Sequence, residues 1–176
     1  MKRLQDNVTI ITGGGKGIGF GLAQAFAEEG SDLVLTGRTE SRLLTAKEEL
    51  ETRYGIRVLP IVADGADEEA IREVVRKTIE TFGRIDTLVN NAQVSRSGLP
   101  LIEHTNEDFD MAIFSGLYAA FFYMRECFPY LKETKGSVIN FASGAGMFGK
   151  LGQASYAAAK EGIRGLSRVA AAEWGP

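Results

Sequence analysis

The sequence predicts a doubly wound α/β domain with a parallel sheet in the strand order 3-2-1-4-5, on three observations. Short β-branched runs alternate with amphipathic stretches from one end to the other, the mark of strand–helix–strand units. A glycine run, Gly13-Gly14-Gly15-Lys16-Gly17-Ile18-Gly19, follows the first strand-like run and opens a helical stretch. The length, 176 residues, suits a single domain spanning 1–176.

Each element has its own signal. Val8–Thr12 (VTIIT) is a buried-type strand, and the helix after it carries Ile18, Leu22, Ala25 and Phe26 on one face and stops at Gly30. Asp32–Thr36 is the second strand. Ser41–Tyr54 is a helix with Leu43, Leu44, Ala46 and Leu50 as its apolar side. Arg57–Asp64 is the third strand, and Pro60, which donates no hydrogen bond, puts it at a sheet edge. Asp67 caps a helix to Phe82 with Ile71, Val74, Val75 and Ile79 inward. Thr87–Ala92 is the fourth strand, Gln93–Thr105 a loop and Asn106–Leu131 largely helical. Ser137–Ser143 is the fifth strand, Gly144–Gly152 a glycine-rich loop and Ser155–Trp174 the last helix. Pro176 cannot extend that helix and suggests a connection to further chain, so the sheet is expected to be truncated before its last two strands.

Composition narrows the function classes. With 44% hydrophobic and 24% charged residues the chain can bury a core. A net charge of −3 supplies no basic field, so neither nucleic acid nor an anionic membrane is an expected partner. One cysteine, Cys127, and one histidine, His104, exclude a disulfide framework and the usual zinc motifs, and no metal is expected. Cys127 reads as a packing residue and His104 as a surface residue ahead of a helix cap at Thr105 or Asn106. No apolar run is long enough to span a membrane and the start carries no signal-peptide core, which sets a cytoplasmic expectation.

The chemistry is carried by three motifs. The glycine turn lets backbone approach a pyrophosphate, and the helix behind it offers free N–H groups. At the end of the second strand stands Gly37-Arg38, with no carboxylate to accept from a ribose 2′-hydroxyl. Arg38 and Lys16 suit a 2′-phosphate, so NADP is the expected cofactor. Finally, Tyr156 and Lys160 are four residues apart on one helix face. An ammonium beside a phenol favours the phenolate, which suits a tyrosine to general acid/base work. Ser143, at the carboxyl end of the fifth strand, would face the same side.

Thr12-Gly13-xxx-Gly17-x-Gly19, Asp64, Asn90-Asn91-Ala92, Ser143 and Tyr156-xxx-Lys160, in this order and spacing, resemble the short-chain dehydrogenase/reductase family over essentially the whole chain. The resemblance implies a Rossmann-type domain that interconverts a secondary alcohol and a ketone with NADP(H). Tyr156 would be the acid/base, Ser143 would orient the substrate oxygen, and Lys160 would bind the nicotinamide ribose. Gly13, Gly15, Lys16, Gly17, Ile18, Gly19, Arg38, Asp64, Asn91 and Ala92 would line the dinucleotide, with Asp64 at the adenine. Asn90 would steady the central strand. Members pair their long helices across dimers or tetramers, so a homo-oligomer is expected, with part of Tyr118, Phe121, Phe122 and Tyr123 at the contact.

Two positions depart from the family pattern. Gln93 stands where Asn-Asn-Ala is followed by glycine, and Gly116 stands where the family has a catalytic asparagine that holds a proton-relay water. The expectation here is a relay through water held by the Gly116 carbonyl and Ser115, with a local break in the helix. Around Asn90–Gln93, Ser115–Ala119 and Asn140–Gly146 the chain is similar to bacterial family members that act with NADP on the 12α-hydroxyl of bile acids and share both departures. Met147, Phe148, Gln153, Val94 and Leu99 are candidates for an apolar steroid slot. Three alternatives stay open: a reductase of another ketone, a reductase of a 3-oxoacyl substrate, and a binding-only NADP sensor or inactive fragment. Gly144–Lys150 fits part of a phosphate loop, but Leu151 supplies no hydroxyl for magnesium, so a nucleotide triphosphatase is not expected.

Overall fold

The structure, a computed structural model, describes residues 2–175. Met1 and Pro176, with the expectation placed on Pro176, lie outside the described residues. Five parallel strands form one sheet in the order β3-β2-β1-β4-β5, as the alternation predicts: β1 Val8–Thr12, β2 Asp32–Gly37, β3 Val58–Val62, β4 Thr87–Asn90 and β5 Ser137–Asn140. Successive residues of β1 feed opposite layers. Val8 and Ile10 pack with Val34, Leu88, Ile71 of helix α3 (Glu68–Phe82) and Met124 of α5 (Ala119–Thr134). Ile11 packs with Leu33, Leu35, Val89, Ala23 and Ala27 of α1 (Gly17–Glu28) and Leu50 of α2 (Glu40–Tyr54). A sheet covered on both faces needs such continuous apolar strands. Pro60 lies on β3, an edge strand, as its missing donor requires.

The helix ends follow their local chemistry. Asp67 accepts from the Glu69 and Ala70 backbone, and α3 stops at Gly83 in the left-handed conformation. Thr105 and Asp108 close a reciprocal capping box on α4 (Asn106–Ala112). Cys127 is fully buried, as a packing residue should be. The Tyr123 hydroxyl donates to Thr36 Oγ1 at 3.3 Å, and burial pushes that phenol up from its ordinary range.

Several expectations are corrected. The inward face of α1 is centred on Gly19, Ala23 and Ala27; of the expected face, Leu22 and Phe26 are partly buried and pack against the core, while Ile18, 68% exposed, and Ala25 point outward. Small residues let α1 approach the sheet closely, which shifts the centre of the face away from the bulky side chains. Leu44 likewise points outward from α2. Strands β3, β4 and β5 are shorter than the sequence suggests, and the glycine-rich segment after β5 contains a helix, α6 (Gly144–Phe148), before α7 (Ala154–Trp174). The break expected at Gly116 is a six-residue π turn, Ile113–Tyr118, joining α4 to α5. Of the aromatic run, Phe122 and Tyr123 are buried, while Tyr118, stacked on Phe114, and Phe121, against Phe122, are exposed.

Candidate functional site

The candidate residues gather along the carboxyl edge of the sheet in two groups. The first surrounds the β1–α1 turn. The N–H groups of Gly13 and Gly14 both donate to Thr36 O, at 2.8 and 3.2 Å, which folds the turn over the end of β2. Gly13 takes φ +69°, a conformation that favours glycine. At Gly19 a Cβ would lie 2.2 Å from Gly13 O, so only glycine lets helix and turn meet. No side chain caps α1, and its first N–H groups point at the space beyond the turn. Gly15, Lys16, Gly17 and Ile18 line this mouth, with Lys16, Gly17 and Ile18 exposed.

The walls come from neighbouring strands. Thr12 Oγ1 accepts from the Asn91 and Ala92 backbone at 3.0 and 2.9 Å, while Asn91 Nδ2 donates to Thr12 O at 2.9 Å. This clamp sets Asn91 and Ala92 against Gly13. Asn90 Nδ2 donates to Asn140 Oδ1 at 2.8 Å, tying β4 to β5. Arg38 is exposed just past β2, and Asp64 is exposed past β3 with Oδ1 held by the Ala66 N–H at 3.0 Å. Arg42, which sequence reasoning does not single out, stands beside Gly15 on the first turn of α2 and lines a pocket with Gly15, Phe20 and Ser41. Its signal is the four-residue spacing from Arg38. An uncapped helix start with three cations around a glycine turn fits a phosphorylated dinucleotide.

The second group lies past β5. Ser143 and Tyr156 line one cleft of about 310 Å³, together with Ser95, Lys150 and Gln153. Ser143 caps α6, its Oγ accepting from the Ala145 N–H at 3.2 Å, so its hydroxyl hydrogen stays available. Lys160 donates to Phe141 O at 2.7 Å, and its Nζ lies 5.7 Å from the centre of the Tyr156 ring. Burial pulls the Lys160 ammonium down to about 8. Met147, Phe148 and Leu151 form an exposed apolar rim.

The two departures from the family pattern meet in space. A Cβ at Gly116 would lie 2.8 Å from the Gln93 carboxamide carbon. Ser115, expected to share in holding water, is otherwise engaged: its Oγ accepts from Val94 N at 3.0 Å and reaches Met111 O at 2.6 Å. His104 also differs from its surface reading, since both ring nitrogens are buried without a protein partner among the described residues.

With this geometry in place, comparison with known proteins gives the class. Residues 7–176 match the short chain dehydrogenase family, and the chain belongs to it. It is 66% identical over 174 residues to a 12alpha-hydroxysteroid dehydrogenase from Clostridium sp., covering 96% of this chain and 67% of that protein. It is 37% identical to a 3-oxoacyl-[acyl-carrier-protein] reductase from Thermotoga maritima, covering 97% of this chain and 69% of that one. Among solved structures, levodione reductase superposes with a TM-score of 0.94 at 37% identity, over 98% of this chain and 68% of that chain. An NAD+-bound xylitol dehydrogenase superposes with a TM-score of 0.95 at 28% identity, over 99% of this chain and 67% of that chain. The chain is an oxidoreductase of this family and spans about two thirds of these relatives. No helix among the described residues is long and apolar enough to cross a membrane.

Proposed function

We propose that the protein interconverts a secondary alcohol and a ketone with NADP(H), acting on the 12α-hydroxyl of a bile acid. The observation that carries the reaction is Tyr156 and Ser143 facing one cleft with the Lys160 ammonium behind the phenol ring. Gly13 to Gly19, Asn91 and Ala92 would hold the dinucleotide, Lys16 and Arg38, with Arg42 near, its 2′-phosphate, and Asp64 its adenine. Lys160 would hold the ribose. Bound NADP supplies the acceptor for the hydride leaving the carbinol carbon. Tyr156 takes the hydroxyl proton as the hydride departs, and Ser143 donates a hydrogen bond to the same oxygen. In reduction Tyr156 returns the proton to the developing alkoxide.

The substrate assignment rests on the 66% identity to the clostridial enzyme and on the apolar rim of Met147, Phe148 and Leu151, which suits a flat hydrocarbon skeleton. The exposed aromatics Phe114, Tyr118 and Phe121 favour a homo-oligomer, and a reducing cytoplasmic location suits the chemistry. The test follows NADPH absorbance with a bile acid bearing a 12α-hydroxyl and with its 12-deoxy counterpart, using the protein with all of its natural sequence. Turnover of the first alone is expected. Equal turnover of both overturns the regiochemistry, turnover of 3-oxoacyl thioesters instead overturns the substrate class, and cofactor binding without any turnover makes the protein a sensor.

A further inference from the structure

The cleft of Ser143 and Tyr156 is lined by a cation, Lys150, together with Ser95, Ser97 and Gln153, and no carboxylate lines it among the described residues. Charged residues carried by the same elements are engaged elsewhere. Arg96, between the two serines in the chain, pairs with Asp108 at 3.4 Å, and Glu161 of α7 pairs with Arg164 at 2.7 Å. Lys150 therefore gives this cleft its charge. It is set in an apolar rim, since Met147, Phe148 and Leu151 around it in the chain are all exposed. An ammonium among hydroxyls, bordered by hydrocarbon, suits a ligand that is apolar along its body and anionic at one point.

The loop that bears Lys150 is anchored on either side. Ser143 caps α6, and past the left-handed Gly149 the Lys150 N–H returns to Ala145 O at 3.1 Å. The Gly98 N–H donates to Gly152 O at 2.7 Å, and a Cβ at Gly152 would lie 3.0 Å from Gly98 Cα. The loop of Ser95 and Ser97 thus closes directly on the loop of Lys150. At about 1.5 Å per residue, the five residues of α6 carry the chain roughly 7–8 Å beyond Ser143.

We propose that Lys150 is a specificity-determining residue that pairs with a carboxylate on the substrate, so that the cleft selects acids over their neutral counterparts and fixes which carbon meets Tyr156. In a bile acid, six carbon–carbon bonds separate the 12-carbon from the carboxyl carbon, a reach of about 7 Å in an extended chain. That reach matches the rise of α6 between Ser143 and Lys150. A steroid acid held by its tail at Lys150 presents its 12-oxygen to Ser143 and Tyr156. The 3-hydroxyl, at the opposite end of the ring system, falls well outside that span. The inference rests on the bile-acid dehydrogenase reading for the reacting carbon, while the preference for an anion rests on the cleft alone.

The test compares a bile acid bearing a 12α-hydroxyl with its methyl ester, which lacks the charge, on the protein with all of its natural sequence. For the wild type, kcat/KM should favour the acid about three- to tenfold, chiefly through KM, because the ion pair is open to solvent. That ratio should shrink as salt is raised. Lys150→Met should bring the ratio to about one, Lys150→Arg should keep it within about twofold of the wild type, and Lys150→Glu should favour the ester. A merely structural role for the loop would lower both substrates alike and leave the ratio in place. A wild-type ratio of one, or an unchanged ratio in Lys150→Met, overturns the proposal while leaving the dehydrogenase reading intact. Should the wild type turn over neither compound, that reading fails. The dissociation constants of acid and ester from the NADPH-loaded protein, followed by NADPH fluorescence in the wild type and in Lys150→Met, then decide the ion pair by the same ratios. Binding of neither compound overturns it too.

Discussion

The Nζ of Lys160 lies 5.7 Å from the centre of the Tyr156 ring while donating to the Phe141 carbonyl at 2.7 Å. One helix turn thus carries both the phenol and the cation, and the carbonyl anchors the cation to the end of β5. The cation is buried at a cost that its single carbonyl partner offsets only in part, and its proton is correspondingly easier to lose.

That burial makes stability depend on pH in a defined direction. The Lys160 pKa falls from 10.5 to about 8, and desolvation is the cause. Between those values the unfolded chain holds more protons than the native protein, so stability rises with pH across the window; below about 8 both forms are charged and the burial cost is present in full. The denaturation midpoint of the wild type, relative to Lys160→Met, should therefore be flat well below about 8 and climb from there towards 10.5. A difference that stays constant over this range contradicts the assignment.

Cofactor choice is tested at Arg38. This guanidinium is exposed beyond β2, on the same edge as Lys16 and Arg42. A charge-assisted hydrogen bond contributes about 1.5–3 kcal/mol, so Arg38→Asp should weaken NADP binding roughly ten- to a hundredfold. The new carboxylate can accept from a ribose 2′-hydroxyl, and NAD binding should improve. Isothermal titration with both nucleotides gives the ratio; an unchanged ratio would place the 2′-phosphate elsewhere.

The glycine turn offers a paired stability test. Gly19→Ala puts a methyl 2.2 Å from Gly13 O and should cost about 1–3 kcal/mol while weakening nucleotide binding. Gly21 lies two residues along the same helix, where a Cβ would meet nothing within 4 Å, and Gly21→Ala should stabilise by about 0.5–1 kcal/mol. Urea denaturation of both variants checks the pair, and equal shifts would mean that the close approach at Gly19 is absent.

These contrasts mark how far the sequence can be read. The β-branched runs VTIIT and DLVLT fix two neighbouring strands because parallel strands bury both faces, and Pro60 identifies an edge by the donor it lacks. Tyr156, Lys160 and Ser143 are legible because their spacing on consecutive elements brings them to one end of the sheet. Ile18 misleads as a core residue because hydrophobic bulk cannot report how closely two backbones approach; Gly19, Ala23 and Ala27 settle that instead. The match of Gln93 to Gly116 is not legible either, since these residues are 23 positions apart and only the π turn brings one over the other.

The central claim is that Tyr156 carries the proton. Tyr156→Phe keeps the ring and removes only the hydroxyl, so the decisive measurement is its kcat beside its NADPH dissociation constant. In this variant kcat should fall by about 10²–10⁴-fold or more, with the dissociation constant within about twofold of the wild type. Turnover retained there would contradict the claim.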